Sequence, residues 1–441
     1  MPERQTGVDT RGLSFTIQQP MNANKDTRSR NRFLLLGAMI FCLPGNNALK
    51  GQADPPSPVF HLYCGNLHSH TAYTWSHGPQ FAKAAAEGGK KKGGGIVVSP
   101  EGVQSPAKSQ VPKADWATLQ GSPAAHFALA RTNGYDFYAV TDHSQEAAFA
   151  PTSATNAAWL TTKKEANAAT DSHFVALAGF EYSENNGPGA TGHLNVFNSA
   201  EYLNALAPGK DLPYLYQWLK TAQPNDEGPV VASFNHPGAQ QYNNWAGRDP
   251  QITEILTLLE IINSNNKIHY AAFINALDQG WKVAPICGND NHGFWGIPRH
   301  TSRTFLLATN RTKAALLDAM KNRRAYASLE RNLQCRYTVN GAIMGATLNH
   351  PTVLAFAITI SDPDTTDPAD KILKLDIVKD GGAVVLTHEP APGHSVEWKP
   401  TLQDTTSKYF FVRVWNAGGG DAPEGDPAKP VAWLAPVWTG R

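Results

Sequence analysis

Apolar positions along the chain fall into two patterns that alternate. A helix-like stretch at 124–132 is followed by the short apolar run 137–141, a second helix-like stretch at 154–169 and a second run at 174–178. The alternation continues through 214–222, 230–234, 256–262, 271–279 and 283–286. Strand-like runs separated by helices predict an α/β domain built on a largely parallel sheet. After about residue 333 the character changes. Short alternating segments at 353–360, 373–378 and 409–415, broken by Gly, Pro and Asp, predict a small β-sandwich over 333–441. The stretch 77–122 fits neither pattern. It is rich in Gly, Lys, Ser and Pro and contains EGGKKKGGG at 87–95, so it predicts a flexible insertion within the first domain, 54–332. No internal repeat is present.

Length and charge narrow the picture further. A chain of 441 residues exceeds one ordinary domain. Only 17% of it is charged, and 38 Lys and Arg nearly cancel 37 Asp and Glu, so there is no broad basic field for nucleic acid or an anionic membrane. A small-molecule substrate is the expectation, with no nucleic-acid partner. Near the N-terminus Arg28, Arg30 and Arg32 precede the apolar run 33–43, which is too short to span a bilayer. This predicts a targeting segment over 1–53, an exported, periplasmic or secreted protein, and no stable membrane span. A lipoprotein reading through Cys42 is weaker, because the residues before it are not small. Cys64, Cys287 and Cys335 would then remain, an odd number without a CxxC pair, and read as small buried hydrophobes.

Candidate chemistry sits where the strand-like runs end. A probable first strand leads into His68 and His70, whose neutral imidazoles are good ligands for zinc, manganese or iron. The run 137–141 ends in Asp142 and His143, 174–178 leads to Glu181, 230–234 to His236, and 283–286 to Asp290 and His292. His193 opens a further apolar segment. A single acid or imidazole at a strand end is usually solvated, but a repeated form is hard to assign to independent loops. The carboxyl ends of parallel strands are where residues distant in sequence converge on one mouth.

The ordered set HxH, TDH, FE, GHLNVF, NHP and GNDNH resembles that of the PHP (polymerase and histidinol phosphatase) superfamily, and within it the secreted metallohydrolases of the CehA/McbA group. The resemblance covers 59–332, and 324–332 leading into 337–345 is similar to the β-domain of that group. It implies a distorted (β/α)7 barrel with a C-terminal β-sandwich and a hydrolase using two or three divalent ions, Zn, Mn or Fe. Carried over residue by residue, it places His68, His70, Glu181 and Asp290 around one ion. Glu181, His193 and His236 would hold a second, with Glu181 bridging, and His143 and His292 a third. The chain departs from the pattern at Ser76, where members often supply a His or Asp. Either the neighbouring His77 substitutes or the third site is incomplete. Asn66, where many members carry Asp, is a smaller departure.

The expected reaction is attack by a metal-bound hydroxide on phosphorus or on a carbonyl carbon. Glu181 and Asp290 would set the charge of the cluster, and Asp142 would orient a ligand or assist proton transfer. The superfamily resemblance implies a phosphomonoester or phosphodiester first, while the subgroup also implies carbamate, ester or amide hydrolysis. A non-catalytic binding protein is the rival class. Ser76 is the feature in its favour, and the stability cost of keeping unpaired buried His, Asp and Glu stands against it. Arg299 and Arg303 read as solvated before they read as anion ligands, and His269 and His300 carry no assigned role. Trp75, Trp245, Phe294 and Trp295 could shape an apolar pocket but read first as packing.

Overall fold

The protein is described by a computed structural model covering residues 58–76, 96–106, 115–184, 190–293, 296–419 and 425–441. The targeting segment 1–53, His77, Phe294, Trp295 and much of 77–122 lie outside the described residues. In chain order the first half contains β1 (His61–Asn66), the hairpin β2 (Ile96–Val98) and β3 (Gln104–Pro106), and helices α1 (Trp116–Gln120) and α2 (Pro123–Thr132). Then come β4 (Phe137–His143), α3 (Ala157–Ala169), β5 (Val175–Ser183), β6 (His193–Phe197), α4 (Leu212–Thr221) and β7 (Val231–Asn235). Two short turns, α5 (Gln241–Trp245) and α6 (Pro250–Thr253), lead to β8 (Leu256–Asn263), β9 (Lys267–Ile268), α7 (Tyr270–Asp278) and β10 (Ala284–Cys287). β11 (Arg303–Ala308), α8 (Lys313–Lys321) and β12 (Ala325–Ser328) follow.

Local chemistry explains many of these boundaries. Ser122, Asn156, Asp211 and Thr312 each accept a backbone N–H three residues on, closing the N-termini of α2, α3, α4 and α8. β4, β7, β8 and β10 are buried along their whole length. Burial on both faces is why they read as continuous apolar runs.

β1 pairs in parallel with β4, β4 with β5, β7 with β8, and β8 with β10. The sheet is nevertheless mixed, because β6 runs antiparallel to both β5 and β7. β6 follows β5 in the chain and pairs antiparallel with it, so the chain reverses direction between them. Beyond β10 the backbone returns to the end of β1, where Asp290 N donates to His68 O at 2.9 Å and His70 N to Asn291 O at 2.8 Å. Thr141 N donates to Ser69 O at 2.8 Å. The ends of β1, β4 and β10 are thereby fixed together.

The expected boundary at 333 does not separate the sheets. The C-terminal part contains β13 (Gln334–Val339), β14 (Ala342–Ile343), β15 (Val353–Ser361), β16 (Ile372–Lys379), β17 (Ala383–His388), β18 (Ser395–Trp398), β19 (Thr401–Gln403), β20 (Tyr409–Asn416), β21 (Ala432–Leu434) and β22 (Val437–Trp438). β13, β14, β15, β18 and β19 form a second sheet. β21 instead pairs with β12, so β21, β20, β16 and β17 extend the first sheet. Tyr337, Phe356 and Ile358 of the second sheet share one core with Leu375, Phe410 and Val412 of the first. Ser57–Arg441 accordingly forms one compact unit. A pairing between residues a hundred positions apart leaves no local pattern to read.

The described parts of 77–122 also differ from a loose loop. Gln104 N donates to Gln145 O at 2.8 Å, and Gln120 Nε2 to Thr74 O at 2.7 Å. Gly102, at φ +82°, lies so close to the chain that an added Cβ would stand 2.1 Å from Leu206 O. Among the described residues no helix is long and apolar enough to cross a membrane.

Candidate metal centre

Strand ends deliver the side chains. His68 and His70 follow β1, His143 ends β4, Glu181 lies in β5, His193 opens β6, His236 follows β7, and Asp290 and His292 follow β10. They form three groups whose ligand atoms lie within 4.8 Å of one another: His68, His70 and Glu181; Glu181, His193 and His236; and His70, His143 and His292. Glu181 belongs to two groups and divides its oxygens between them. Oε1 lies 3.3 Å from His68 Nε2, 3.2 Å from His193 Nδ1 and 3.5 Å from His236 Nε2. Oε2 lies 3.0 Å from His143 Nε2 and 3.6 Å from His70 Nε2. Asp290 Oδ1 is 2.9 Å from His70 Nε2 and 3.5 Å from both His68 Nε2 and His292 Nδ1.

The cluster has a floor and a rim. The side chains of His68 and His70 are 0% exposed, whereas those of Asp290, His292 and His236 are 17–18% exposed. A cleft of about 760 Å³ opens on one side of Asp290 and His292, with Asn289, Asn291, Ser264 and Arg299 in its wall. A second of about 420 Å³ opens on the other side, between His236, Asp290 and Lys267.

Burial and mutual charge set the protonation of these groups. Burial, with His292 and His143 close by, holds His70 well below the usual imidazole range, and burial lowers His292 to about 4. Burial alone would raise the Glu181 carboxyl, but His68, His193 and His143 reverse this and hold it well below its usual value. The Asp290 carboxyl is held down in the same way by His68, His70 and His292. Burial opposes a charge on His68, yet Glu260, Glu181 and Asp290 together raise its imidazole well above normal. Carboxylates that stay ionised at the centre of buried imidazoles are a donor set suited to a cation.

Behind three of the imidazoles stand carboxylates that fix the other ring nitrogen. His68 Nδ1 donates to Glu260 Oε1 at 2.7 Å. Glu260 Oε2 accepts from His236 N at 2.8 Å and from Asn263 Nδ2 at 2.9 Å. Gly288 makes room for this contact, since an added Cβ would stand 1.9 Å from Glu260 Oε1. His143 Nδ1 lies 3.1 Å from Ser76 Oγ, which in turn donates to Glu146 Oε1. His70 Nδ1 lies 3.4 Å from Thr74 Oγ1, which donates to Asp142 Oδ1 at 2.8 Å. Each arrangement keeps the proton on Nδ1 and turns Nε2 toward the cluster.

Several sequence expectations are refined by this geometry. Asp142 is brought behind the cluster, where Thr71 N, Thr71 Oγ1 and Thr74 Oγ1 bond its two oxygens, an arrangement that suits orientation of His70 and not proton transfer at the rim. Ser76 supports His143 from behind, and the third group closes through His70 instead. His77 lies outside the described residues. Arg303 is buried, 3.7 Å above the Tyr135 ring, and not solvated, while Arg299 is exposed beside the larger cleft. Trp75 and Trp245 are buried packing residues, hydrogen-bonded to Gln104 O and Ala239 O. His269 Nδ1 donates to Pro237 O at 3.0 Å, bracing the turn that carries His236, and His300 Nε2 bonds Asn291 Oδ1 at 2.7 Å. Glu260 and Glu146 are functional candidates that the strand-end pattern does not reveal. The signal for Glu260 is one acid inside the otherwise apolar run of β8.

No protein-family model matches the chain, and no curated protein matches it. Among solved structures it is similar to a two-domain protein from Bacteroides vulgatus containing a predicted PHP-like metal-dependent phosphoesterase. That likeness covers 86% of this chain and 95% of the other, at 16% identity and a TM-score of 0.41. It is also similar to a lesion-specific endonuclease from Pyrococcus furiosus, over 59% of this chain and 56% of that one, at 12% identity and a TM-score of 0.30.

Proposed function

We propose that the chain is an exported metal-dependent hydrolase, a phosphoesterase by first choice, built as a PHP-like distorted barrel with a β-sandwich behind it. One observation carries the reading: Glu181 is shared between two of the three donor groups and His70 between two, so ions held by them would adjoin one another. His68, His70, Glu181 and Asp290 would hold one ion, Glu181, His193 and His236 a second, and His70, His143 and His292 a third. Bound ions of this kind lower the pKa of a coordinated water toward about 7 and polarise the electrophile. The chain itself contributes fixed imidazole orientations, a shared carboxylate, and exclusion of water from the floor. Asp290, His292 and His236 at the rim would meet the substrate. The cleft beside them favours a polar, anionic group over a naphthyl one, because Asn289, Asn291 and Ser264 offer hydrogen bonds and Arg299 a positive charge.

The test is metal content of the purified protein and of Asp290→Ala, with turnover of p-nitrophenyl phosphate, bis-p-nitrophenyl phosphate, naphthyl acetate and a naphthyl carbamate. Two or three equivalents of zinc, manganese or iron, reduced in the variant, together with phosphoester turnover, are expected. Carbamate turnover without phosphoester turnover would reject the first choice. A folded protein that takes up no metal would reject the hydrolase reading itself.

A further inference from the structure

Asp290 belongs to the walls of both clefts beside the imidazole cluster. The β8–β9 connection forms the rest of the divide between them. Ser264, Asn265 and Asn266 line the larger cleft, of about 760 Å³, while Asn263 and Lys267 line the smaller, of about 420 Å³. Each volume is in the range of a small-molecule site. A cation stands in each wall, Arg299 in the larger cleft and Lys267 in the smaller.

Each cleft also has in its wall a buried side chain with one polar atom left over. Asn289, 2% exposed, lines the larger. Its backbone N donates to Asn66 Oδ1 at 2.8 Å, and its Oδ1 accepts from Ser302 Oγ at 3.1 Å and Cys287 Sγ at 3.3 Å. Those two donors settle which end of the carboxamide is the oxygen, so the other end is the NH2, and Nδ2 has no hydrogen-bond partner. His269, 9% exposed, lines the smaller cleft. Its Nδ1 donates to Pro237 O at 3.0 Å, so the neutral ring keeps a lone pair on Nε2, which also has no partner. A buried polar atom without a partner is costly, and in the wall of a cleft a ligand removes that cost.

We infer that the substrate is a phosphodiester with two polar arms, its phosphorus at Asp290 and one arm in each cleft. Asn289 Nδ2 donates to an oxygen of one arm, and His269 Nε2 accepts from a hydroxyl of the other. This rests on the phosphoesterase reading and narrows it. A phosphomonoester has a single arm, which leaves one of the two clefts without a role. Walls of carboxamides, a hydroxyl and an imidazole suit sugar or polyol arms and not hydrocarbon chains. In the reaction the oxygen of water bonds to phosphorus and one P–O ester bond breaks. The released alcohol takes a proton from that water, and a phosphomonoester remains.

The test is steady-state kinetics of the metal-loaded protein on two matched pairs: glycerophosphoglycerol with glycerol 1-phosphate, and bis-p-nitrophenyl phosphate with p-nitrophenyl phosphate. Each diester is expected to exceed its monoester in kcat/KM by about 10-fold, the worth of one well-made hydrogen bond. His269→Asn keeps a donor for Pro237 O but removes Nε2. It should lower the preference for glycerophosphoglycerol over bis-p-nitrophenyl phosphate, which has no hydroxyl, by about 10-fold through KM, with metal content retained. Should His269→Asn fold poorly or lose metal, Asn289→Asp carries the test: it keeps the acceptor for Ser302, replaces the donor by an acceptor, and should raise KM for both diesters about 10-fold. Faster turnover of the monoesters, or an unaltered preference in metal-loaded His269→Asn, overturns this inference and leaves the hydrolase reading standing. Absence of turnover on all four substrates removes the phosphoesterase reading and this inference with it.

Discussion

A buried imidazole is useful as a ligand only if its proton is kept on the far nitrogen, and Glu260 does this for His68 while also accepting from the backbone of His236. Glu260→Gln cannot serve both sides. A carboxamide has one acceptor oxygen, so its NH2 must face either His68 Nδ1 or the donors His236 N and Asn263 Nδ2. The variant is expected to keep its fold by circular dichroism and to bind its most weakly held metal about 10- to 100-fold more weakly in chelator competition. Unchanged affinity would show that Glu260 does not position the ligands. His126 supplies a second prediction. It is fully buried, with Nε2 bonded to Gln120 O at 2.7 Å, and burial lowers its pKa to about 4. The folded-state pKa is depressed, so the stability tied to neutral His126 is present above about pH 6.5 and is lost as pH falls toward 4. The loss is about 3 kcal/mol over that window. Denaturant titrations of metal-free wild type and His126→Gln between pH 7 and pH 4 should converge by roughly this amount; parallel curves would contradict it.

Between residue and molecule, the β6 and β7 ends show how an element serves the site. In α5 the residues Tyr242, Asn243 and Asn244 have φ of 56°, 51° and 55°, a left-handed turn that delivers the Tyr242 hydroxyl to His193 O and Asn235 O, each at 2.9 Å. These two carbonyls flank the strand ends that carry His193 and His236. Tyr242→Phe is expected to cost about 1–3 kcal/mol in denaturant unfolding and to weaken metal binding, whereas a purely local packing role would leave metal affinity unchanged. In QYNNW the Asn243-Asn244 pair tolerates a left-handed turn, but Tyr242 does not favour one, and the bonds made by its hydroxyl help to hold the conformation. The strand runs themselves were legible, since burial on both faces writes an apolar block into β4, β7 and β10, and the ligands at their ends follow from it. Antiparallel β6 was not, for apolar periodicity carries no direction. Ser76 and Asp142 show the same limit within the site: the sequence brings them near the ligands, and only the Thr74 and Glu146 contacts reveal that they stand behind the imidazoles.

For the whole molecule, the pairing of β12 with β21 decides how it unfolds. Tyr326, Ala327 and Ser328 are bonded in register with Leu434, Trp433 and Ala432, and one core runs through both parts. Thermal unfolding is therefore expected as one cooperative transition, checked by calorimetry with the van't Hoff and calorimetric enthalpies compared. Two resolved transitions would show that the C-terminal strands are a separate unit after all. The pairing also has a consequence in time. β12 gains one of its two neighbours only when residues 432–434 have been made, about a hundred positions after β12 itself. Until then a growing polypeptide presents an open strand edge beside its imidazole cluster, and that edge stays open through the synthesis of every strand from β13 to β20.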